Sequence, residues 1–163
     1  VTEFDAPQFF LPDVEDYLSG APAQLEVDKV CCITSHMLAG EDDEAGIFWN
    51  FFAAPLQNKQ VSIISSFQIR DFAMAAEVSF AKAIFAMCLS QILVTDEALN
   101  LSYHRTTVGC LFDFCENRAD IVIGLRKFRF NHLPCRKRIT DSQLLNAIDK
   151  LLAIPFNKDL YGG

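Results

Sequence analysis

The chain has 163 residues, of which 51% are hydrophobic, and a formal net charge of −7. A chain of this length can bury a core without disulfide bonds, so we expect one domain over residues 1–163. The negative charge disfavours general nucleic-acid binding, and the acidic N-terminus lacks the apolar run of a signal peptide. Together with six cysteines, which in such a chain favour thiols or metal ligands, this predicts a cytoplasmic location.

The sequence of the N-terminal part predicts a small β-sheet. Residues 1–20 are rich in proline and acid and are expected to wrap the surface. Three runs of β-branched, aliphatic and aromatic residues predict strands at 25–36, 47–53 and 60–68. An acidic loop flanked by glycines, 40–46, separates the first two strands.

The longest helical pattern covers residues 73–94 and is apolar on nearly every side. We expect this helix to lie buried against the sheet. Its longest uncharged run, 83–95, has 13 residues and falls short of the roughly 20 that cross a bilayer, so no membrane partner is expected. Thr95 and Asp96 are predicted to cap a short second helix.

The sequence of the C-terminal part predicts mostly irregular structure, followed by a final helix. Residues 101–139 contain one strand-like run, 120–125, and are otherwise irregular. Thr140 or Asp141 is expected to cap an amphipathic final helix, and 155–163 form a frayed tail. The residues on the core-facing stripe of the final helix are Leu144, Leu145, Ile148, Leu151 and Leu152.

Cysteine and histidine occur in two close pairs within the irregular part. Four residues separate Cys110 from Cys115, two separate His132 from Cys135, and sixteen lie between the pairs. Thiolate and imidazole are the ligands of structural zinc, and close pairs are typical of such sites. We therefore predict one structural Zn2+ per chain, bound by Cys110, Cys115, His132 and Cys135.

This site completes the predicted architecture, an α+β fold. A small mixed sheet packs on a long buried helix, followed by a zinc-stabilised irregular C-terminal part and a final helix. If one of the four predicted ligands does not bind, Asp113 or His104 is the expected substitute. The basic residues nearby are expected to lower the pKa values of the thiols.

A simpler interpretation makes the same side chains structural. Cys110 and Cys115 would then be small buried hydrophobes, and His132 would be a surface residue. The other three cysteines lie in elements predicted to be buried and are expected to be inert thiols: Cys31, Cys32 and Cys88.

The cysteine spacing within residues 27–139 resembles the archaemetzincin branch of the metzincin-type zinc peptidases. In that family strands precede a helix with the motif H-E-x-x-H and a third His. A stretch C-x4-C-x-M, seventeen residues and a closing C-x-x-C follow, and these cysteines hold a second, structural zinc. Here Cys110 and Cys115 match the first pair, and Cys135 follows at the expected distance.

The departures from the family pattern are as informative as the matches. Asn117 stands at the methionine position and Arg138 at the last cysteine, so the resemblance implies that His132 substitutes as the fourth ligand. The positions of the peptidase zinc motif are occupied by residues that cannot bind the metal or act as its base: Leu99, Asn100, Tyr103 and Gly109. The resemblance thus implies a peptidase scaffold without its catalytic metal.

The leading hypothesis is a non-catalytic, zinc-stabilised module that binds or regulates another protein or a fused domain. The surfaces of interest are the former cleft at 99–109 and the basic segment 126–138. An acidic N-terminal part, with eleven acidic residues between Glu3 and Glu44, is expected to complement this basic segment.

Two alternatives belong to other classes. One is a hydrolase that uses the zinc with an open position, or a Cys88–His104 pair. The other is a nucleic-acid-binding domain in which Phe128 and Phe130 stack on bases. Its phosphate contacts would come from Arg126, Lys127, Arg129, Arg136, Lys137 and Arg138. A second metal on His104, His36 and an acid of 41–44 is not expected.

Overall fold

The computed structural model describes residues 8–42, 46–127, 130 and 132–155. The chain divides into two compact units, Val1–Phe67 and Gln68–Gly163, each treated separately below. Small mixed sheets and helices are both present, so the predicted α+β class is confirmed. The assignment of one domain to residues 1–163 stays a prediction.

The N-terminal unit contains two three-stranded sheets. Its elements are β1 (Gln8–Phe10), α1 (Leu11–Leu18), α2 (Ala21–Leu25), β2 (Val30–Thr34), β3 (Met37–Asp42), β4 (Gly46–Phe51), β5 (Ala53–Pro55) and β6 (Val61–Ser65). One sheet has the order β1-β3-β4, with β1 parallel and β4 antiparallel to β3. The other has the order β2-β6-β5, with β2 parallel and β5 antiparallel to β6. Every residue of β6 is buried, including Ser62 and Ser65, as expected for the central strand of its sheet.

The prediction of a single sheet is wrong. The runs at 25–36 and 60–68 do form neighbouring strands, β2 and β6, but the run at 47–53 supplies β4 to the other sheet. The first run ends early because the Thr34 hydroxyl accepts the amide hydrogen of His36 at 3.1 Å, and β3 then begins at Met37.

Two further N-terminal segments differ from expectation. The ends of the predicted acidic loop 40–46 are strand residues, with Asp42 opposite Gly46, and 43–45 lie outside the described residues. The predicted surface segment 1–20 contains β1 and α1, of which α1 has no buried residue. Residues 1–7 are likewise outside the description.

The C-terminal unit is mainly helical. Its helices are α3 (Ile69–Ala75), α4 (Phe80–Val94), α5 (Ile121–Lys127), α6 (Leu133–Arg136) and α7 (Ser142–Leu152), with 3-10 turns at Glu97–Leu99 and Arg118–Asp120. The first 3-10 turn is capped by Asp96, whose carboxylate accepts the amide hydrogen of Ala98 at 3.0 Å. A C-terminal core cluster joins α4, α6, α7 and the segments between them: Leu89, Leu93, Leu101, Cys110, Phe112, Phe130, Cys135, Ile139 and Ile148.

The predicted helix 73–94 is two helices, α3 and α4, that meet at an angle of 110°. Glu77 has the left-handed φ of 60° just after α3, and Ser79 caps α4 by accepting the amide hydrogen of Lys82 at 3.2 Å. Seven of the fifteen residues of α4 are buried, whereas Ile92 is 41% exposed. Among the described residues, no single helix has the length and apolar composition of a membrane span.

The predicted strand 120–125 is wrong, because these residues belong to helix α5 and the turn before it. The Asn117 side chain accepts the amide hydrogen of Ala119 at 3.1 Å and starts the turn. Ile121 and Leu125, four residues apart, are buried, while Ile123 between them is 40% exposed. This spacing of buried residues is helical, whereas a strand would bury alternate positions.

The final helix is confirmed, and Asp141 is its cap. The Asp141 carboxylate accepts amide hydrogens of Gln143 at 2.7 Å and Leu144 at 3.2 Å. Ile148 is 1% exposed, but Leu151, predicted to face the core, is 36% exposed. The predicted tail lies beyond this helix, and residues 156–163 are outside the described part of the chain.

Candidate metal centre

The first part of the centre is a loop from His104 to Phe114 that folds back on itself. The His104 amide donates to the Phe112 carbonyl, and the Phe114 amide donates to the His104 carbonyl, both at 3.0 Å. The Asp113 amide donates to the Cys110 carbonyl at 3.2 Å and closes a turn. The pairing brings His104 beside a turn that begins at Cys110, six positions further along the chain.

The second part is the short helix α6. His132 precedes it, and its carbonyl accepts the amide hydrogen of Arg136 at 3.0 Å. Pro134 occupies the first turn, where the missing amide hydrogen is not needed. Cys135 therefore lies one turn after His132, and its sulfur is 3.1 Å from Nδ1 of that ring.

These two parts bring four donor atoms together. One side-chain donor each from His104, Cys110, His132 and Cys135 lies within 4.8 Å of all the others. Both cysteines are buried, and the two imidazole rings are 4.4 Å apart between centroids. Two nitrogen and two sulfur donors at this separation are compatible with one metal ion.

Three of the four residues predicted from sequence belong to this group, namely Cys110, His132 and Cys135. Cys115 does not belong to it, and His104 is present instead. Cys115 follows the strand-like pairing of Phe114 with His104 and has a left-handed φ of 53°. The spacing of Cys110 and Cys115 carries no information about this backbone pairing, and the sequence predicts His104 only as a substitute ligand.

A hydrogen bond to a nearby backbone carbonyl fixes the tautomer of His104. Nδ1 lies 2.8 Å from the Thr106 carbonyl oxygen, which can only accept, so Nδ1 carries the hydrogen. In the neutral ring Nε2 then presents a lone pair, the form in which imidazole binds metals. This Nε2 is buried and has no hydrogen-bond partner among the described residues. A proton or a metal ion is the partner that this buried nitrogen lacks.

Asp113 organises the loop from inside the turn. One carboxylate oxygen, Oδ2, accepts amide hydrogens from Val108 at 3.1 Å, Gly109 at 2.7 Å and Cys110 at 3.1 Å. The other oxygen, Oδ1, lies 3.5 Å from Nε2 of His104, and the Asp113 side chain is only 2% exposed. Within the described part of the chain, Oδ1 has no hydrogen-bond partner.

Burial favours the protonated form of the two thiols of the centre. Burial raises the pKa of Cys110 to about 11, although the Phe112 amide donates to its sulfur and opposes the rise. Burial also raises the pKa of Cys135, against a hydrogen bond from Cys110 and the charge of Arg138. The expectation that basic neighbours give low pKa values is therefore wrong, because desolvation dominates. A metal must displace these protons when it binds.

The remaining cysteines lie outside the group. Burial, with the carboxylates of Asp113 and Asp120, raises the pKa of Cys115 to about 12. Burial and then Cys31 raise the pKa of Cys32, and Cys88 is half-buried. None of the six cysteines, all of which fall in the described part of the chain, is in a disulfide.

The residues at three positions of the missing peptidase motif pack or form hydrogen bonds within the C-terminal unit. Leu99 packs on the C-terminal core cluster, and the Asn100 carbonyl accepts a hydrogen bond from Arg138 at 2.8 Å. The Tyr103 hydroxyl lies 2.8 Å from Nε2 of Gln91, which donates to it. His36, considered for a second metal, stacks on Phe9 with 4.3 Å between centroids and is not in the group.

Several cations of the basic segment are bound to the protein itself. Arg126 donates to the Ala75 carbonyl at 2.7 Å, and Lys127 donates to that of Val108 at 2.9 Å. Arg136 pairs with Asp149 at 2.8 Å. Phe130, predicted to stack on bases, is 2% exposed. Phe128 and Arg129 lie outside the described residues, and Lys137 and Arg138 are exposed.

Comparisons of the chain with protein-family models, with curated proteins and with solved structures find no match. The resemblance to archaemetzincins, which depends on the cysteine spacing, therefore stays a prediction.

Proposed function

We propose that this chain is a non-catalytic binding or regulatory module whose C-terminal unit is stabilised by one zinc ion. The ligands in this proposal are His104, Cys110, His132 and Cys135. The observation that supports it is the convergence of their four donor atoms within 4.8 Å. The buried, unpartnered Nε2 of His104 adds support from the described residues, because that atom is otherwise desolvated without compensation.

Zinc is the metal that this donor set favours. Two thiolates and two imidazoles in a tetrahedron are typical of structural zinc sites, whereas magnesium and calcium prefer oxygen ligands. Two thiolates balance the charge of a divalent ion, which suits the burial of both cysteines, of which Cys110 is 4% and Cys135 7% exposed.

The role proposed for the ion is to join two segments that have little regular structure. The loop at 104–114 contributes His104 and Cys110, and the segment formed by His132 and helix α6 contributes the other two ligands. Four protein ligands leave no position for a reacting water, which favours a structural role over a catalytic one. Under the archaemetzincin resemblance, this ion would be the counterpart of the structural zinc of that family.

The proposed partner is another protein or a fused domain, and the proposed compartment is the reducing cytoplasm. Nucleic acid is the less favoured partner, since four basic side chains of the segment make hydrogen bonds within the protein: Arg126, Lys127, Arg136 and Arg138.

Metal analysis of protein purified without chelator tests the proposal, with one equivalent of zinc expected. Replacing zinc by cobalt should give thiolate-to-cobalt charge transfer and the intense bands of tetrahedral Co2+. Well under one equivalent of bound metal in the parent protein would contradict the proposal.

Single variants identify the ligands. Cys110→Ser, Cys135→Ser and His104→Ala should each lose most of the zinc, whereas Cys115→Ser should keep it. Cys115→Ser is the matched control, because it removes a half-buried thiol of the same segment. Loss of zinc in Cys115→Ser, with retention in His104→Ala, would instead support the ligand set predicted from sequence.

A further inference from the structure

Asp113 is the buried charged side chain that the four proposed ligands leave without a function. Its side chain is 2% exposed, and only Oδ2 is occupied, by the amides of Val108, Gly109 and Cys110. Oδ1 has no hydrogen-bond partner within the described residues and faces Nε2 of His104 at 3.5 Å. A buried carboxylate oxygen in this position requires compensation, which a nearby cation provides.

We infer that Asp113 is a positioning residue of the metal centre, acting on two ligands at once. Through Oδ2 it holds the loop that carries Cys110, and through Oδ1 it places negative charge beside the Nε2 lone pair of His104. This inference rests on the proposed function, since it concerns the affinity of that same site for a divalent cation.

The arrangement around His104 shows why a cation is favoured. Nδ1 donates to the Thr106 carbonyl, so the neutral ring turns the lone pair of Nε2 toward Oδ1. With the ring neutral, two buried acceptors face each other without a hydrogen between them, which is unfavourable in a medium of low dielectric constant unless a proton or a metal ion on Nε2 separates them. A divalent ion bound to Nε2 converts this repulsion into attraction to both atoms.

Asp113 is not itself one of the four grouped donors. Its contribution is that of an outer-shell partner, which fixes the geometry and the electrostatics of ligands without binding the metal. Loss of such partners typically lowers metal affinity about 10- to 100-fold.

The isosteric variant Asp113→Asn separates the two roles of the carboxylate. The three amide donors require the remaining carbonyl oxygen at the Oδ2 position, so the new NH2 group must occupy the Oδ1 position. There it can donate to Nε2 of His104 and compete with the metal. We expect the loop to be retained and zinc binding to weaken about 10- to 100-fold.

The experiment first measures zinc bound by the parent protein, and then zinc affinities by competition with a chelator. Asp120→Asn is the matched control, since it removes the same charge from the second 3-10 turn, outside the four-donor group. It should bind zinc within about threefold of the parent. The cobalt form of Asp113→Asn should keep its thiolate charge-transfer band, because both sulfur ligands remain.

Parent protein without zinc would contradict the proposed function itself. Normal zinc in the parent with unchanged affinity in Asp113→Asn would contradict only the inference. Should Asp113→Asn not fold, long-range 1H–15N NMR of the zinc-loaded parent provides the second test. It should show His104 protonated at Nδ1 and coordinated through Nε2, and coordination through Nδ1 would overturn the inference.

Discussion

Gly109 occupies a crowded position of the metal loop. Its φ is +81°, and a Cβ built there would lie 2.2 Å from Cδ of Lys127, the side chain that donates to the Val108 carbonyl. Both the backbone conformation and the contact disfavour any larger residue.

We expect Gly109→Ala to lower the free energy of unfolding by about 1–3 kcal/mol, as measured by urea denaturation. Gly124→Ala is the matched control, since Gly124 lies inside α5 and its Cβ would meet nothing closer than 3.9 Å. That variant should gain about 0.5–1 kcal/mol from helix propensity. Equal effects of the two substitutions would show that the loop does not require glycine.

Cys115 makes stability depend on pH in the alkaline range. Its pKa is raised from 9.0 to about 12, so the native thiol keeps its proton at pH values where the unfolded thiol has lost it. A raised native pKa gives stability that is fully present below about pH 9 and is lost as the pH rises toward 12.

The free energy of unfolding of the parent should therefore decrease more steeply between pH 8 and pH 10.5 than that of Cys115→Ser, which lacks this titration. The comparison cancels the other groups that titrate in both proteins. Parallel curves for the two proteins would show that the Cys115 thiol ionises normally in the native state.

Residue spacing predicts the His132–Cys135 half of the candidate site but not the pairing of His104 with Cys110. His132 and Cys135 are separated by one helical turn, so sequence distance alone brings their side chains together. Cys110 and Cys115 have equally suggestive spacing, yet His104 joins Cys110 because the backbone at 104 pairs with residues 112 and 114. That pairing is a tertiary property of a segment with no regular strand pattern.

At the scale of elements, α4 provides the test of the helical core. Ala86 is 7% exposed and Ile92, on the same helix, is 41% exposed. Ala86→Asp should lower the free energy of unfolding by about 3 kcal/mol or more, because it buries an unpaired charge. Ile92→Asp, the control, should cost about 1 kcal/mol or less.

Chemical denaturation followed by far-UV circular dichroism measures both variants. Similar stabilities for Ala86→Asp and Ile92→Asp would mean that the side of α4 carrying Ala86 is accessible to water.

The elements that sequence predicted correctly have both a cap and a consistent period. Helix α7 has the Asp141 cap, the buried Ile148, and partly buried leucines four residues before and after it, Leu144 and Leu152. The sequence does not predict the break between α3 and α4, because residues 73–94 contain neither glycine nor proline and the Ser79 cap is a weak signal inside an apolar run. The run 120–125 predicts a strand because branched residues favour strands. It forms a helix because Ile121 and Leu125, four residues apart, are the residues that are buried.

At the scale of the whole molecule, metal removal should act on one unit selectively. All four proposed ligands belong to the unit Gln68–Gly163. After chelation, amide hydrogen exchange in 104–114 and in α6 should accelerate at least about tenfold, because the ion contributes folding free energy directly.

The amides of β2 and β6, paired in the other unit, serve as the internal control and should exchange at an unchanged rate. Mass spectrometry of peptic fragments resolves the two regions. Uniform acceleration along the chain, or none at all, would contradict a local stabilising role for the metal.

The position of Trp49 has a spectroscopic consequence. It is the single tryptophan of the chain, lies on β4 in the unit Val1–Phe67, and is 54% exposed. The visible absorption of a cobalt-substituted centre would report only on the unit that contains the ligands. Trp49 fluorescence and cobalt absorption therefore report on separate units of the chain. Unfolding transitions recorded at these two wavelengths coincide if the units melt together and separate if each melts alone. Together the two signals measure whether the two units unfold cooperatively.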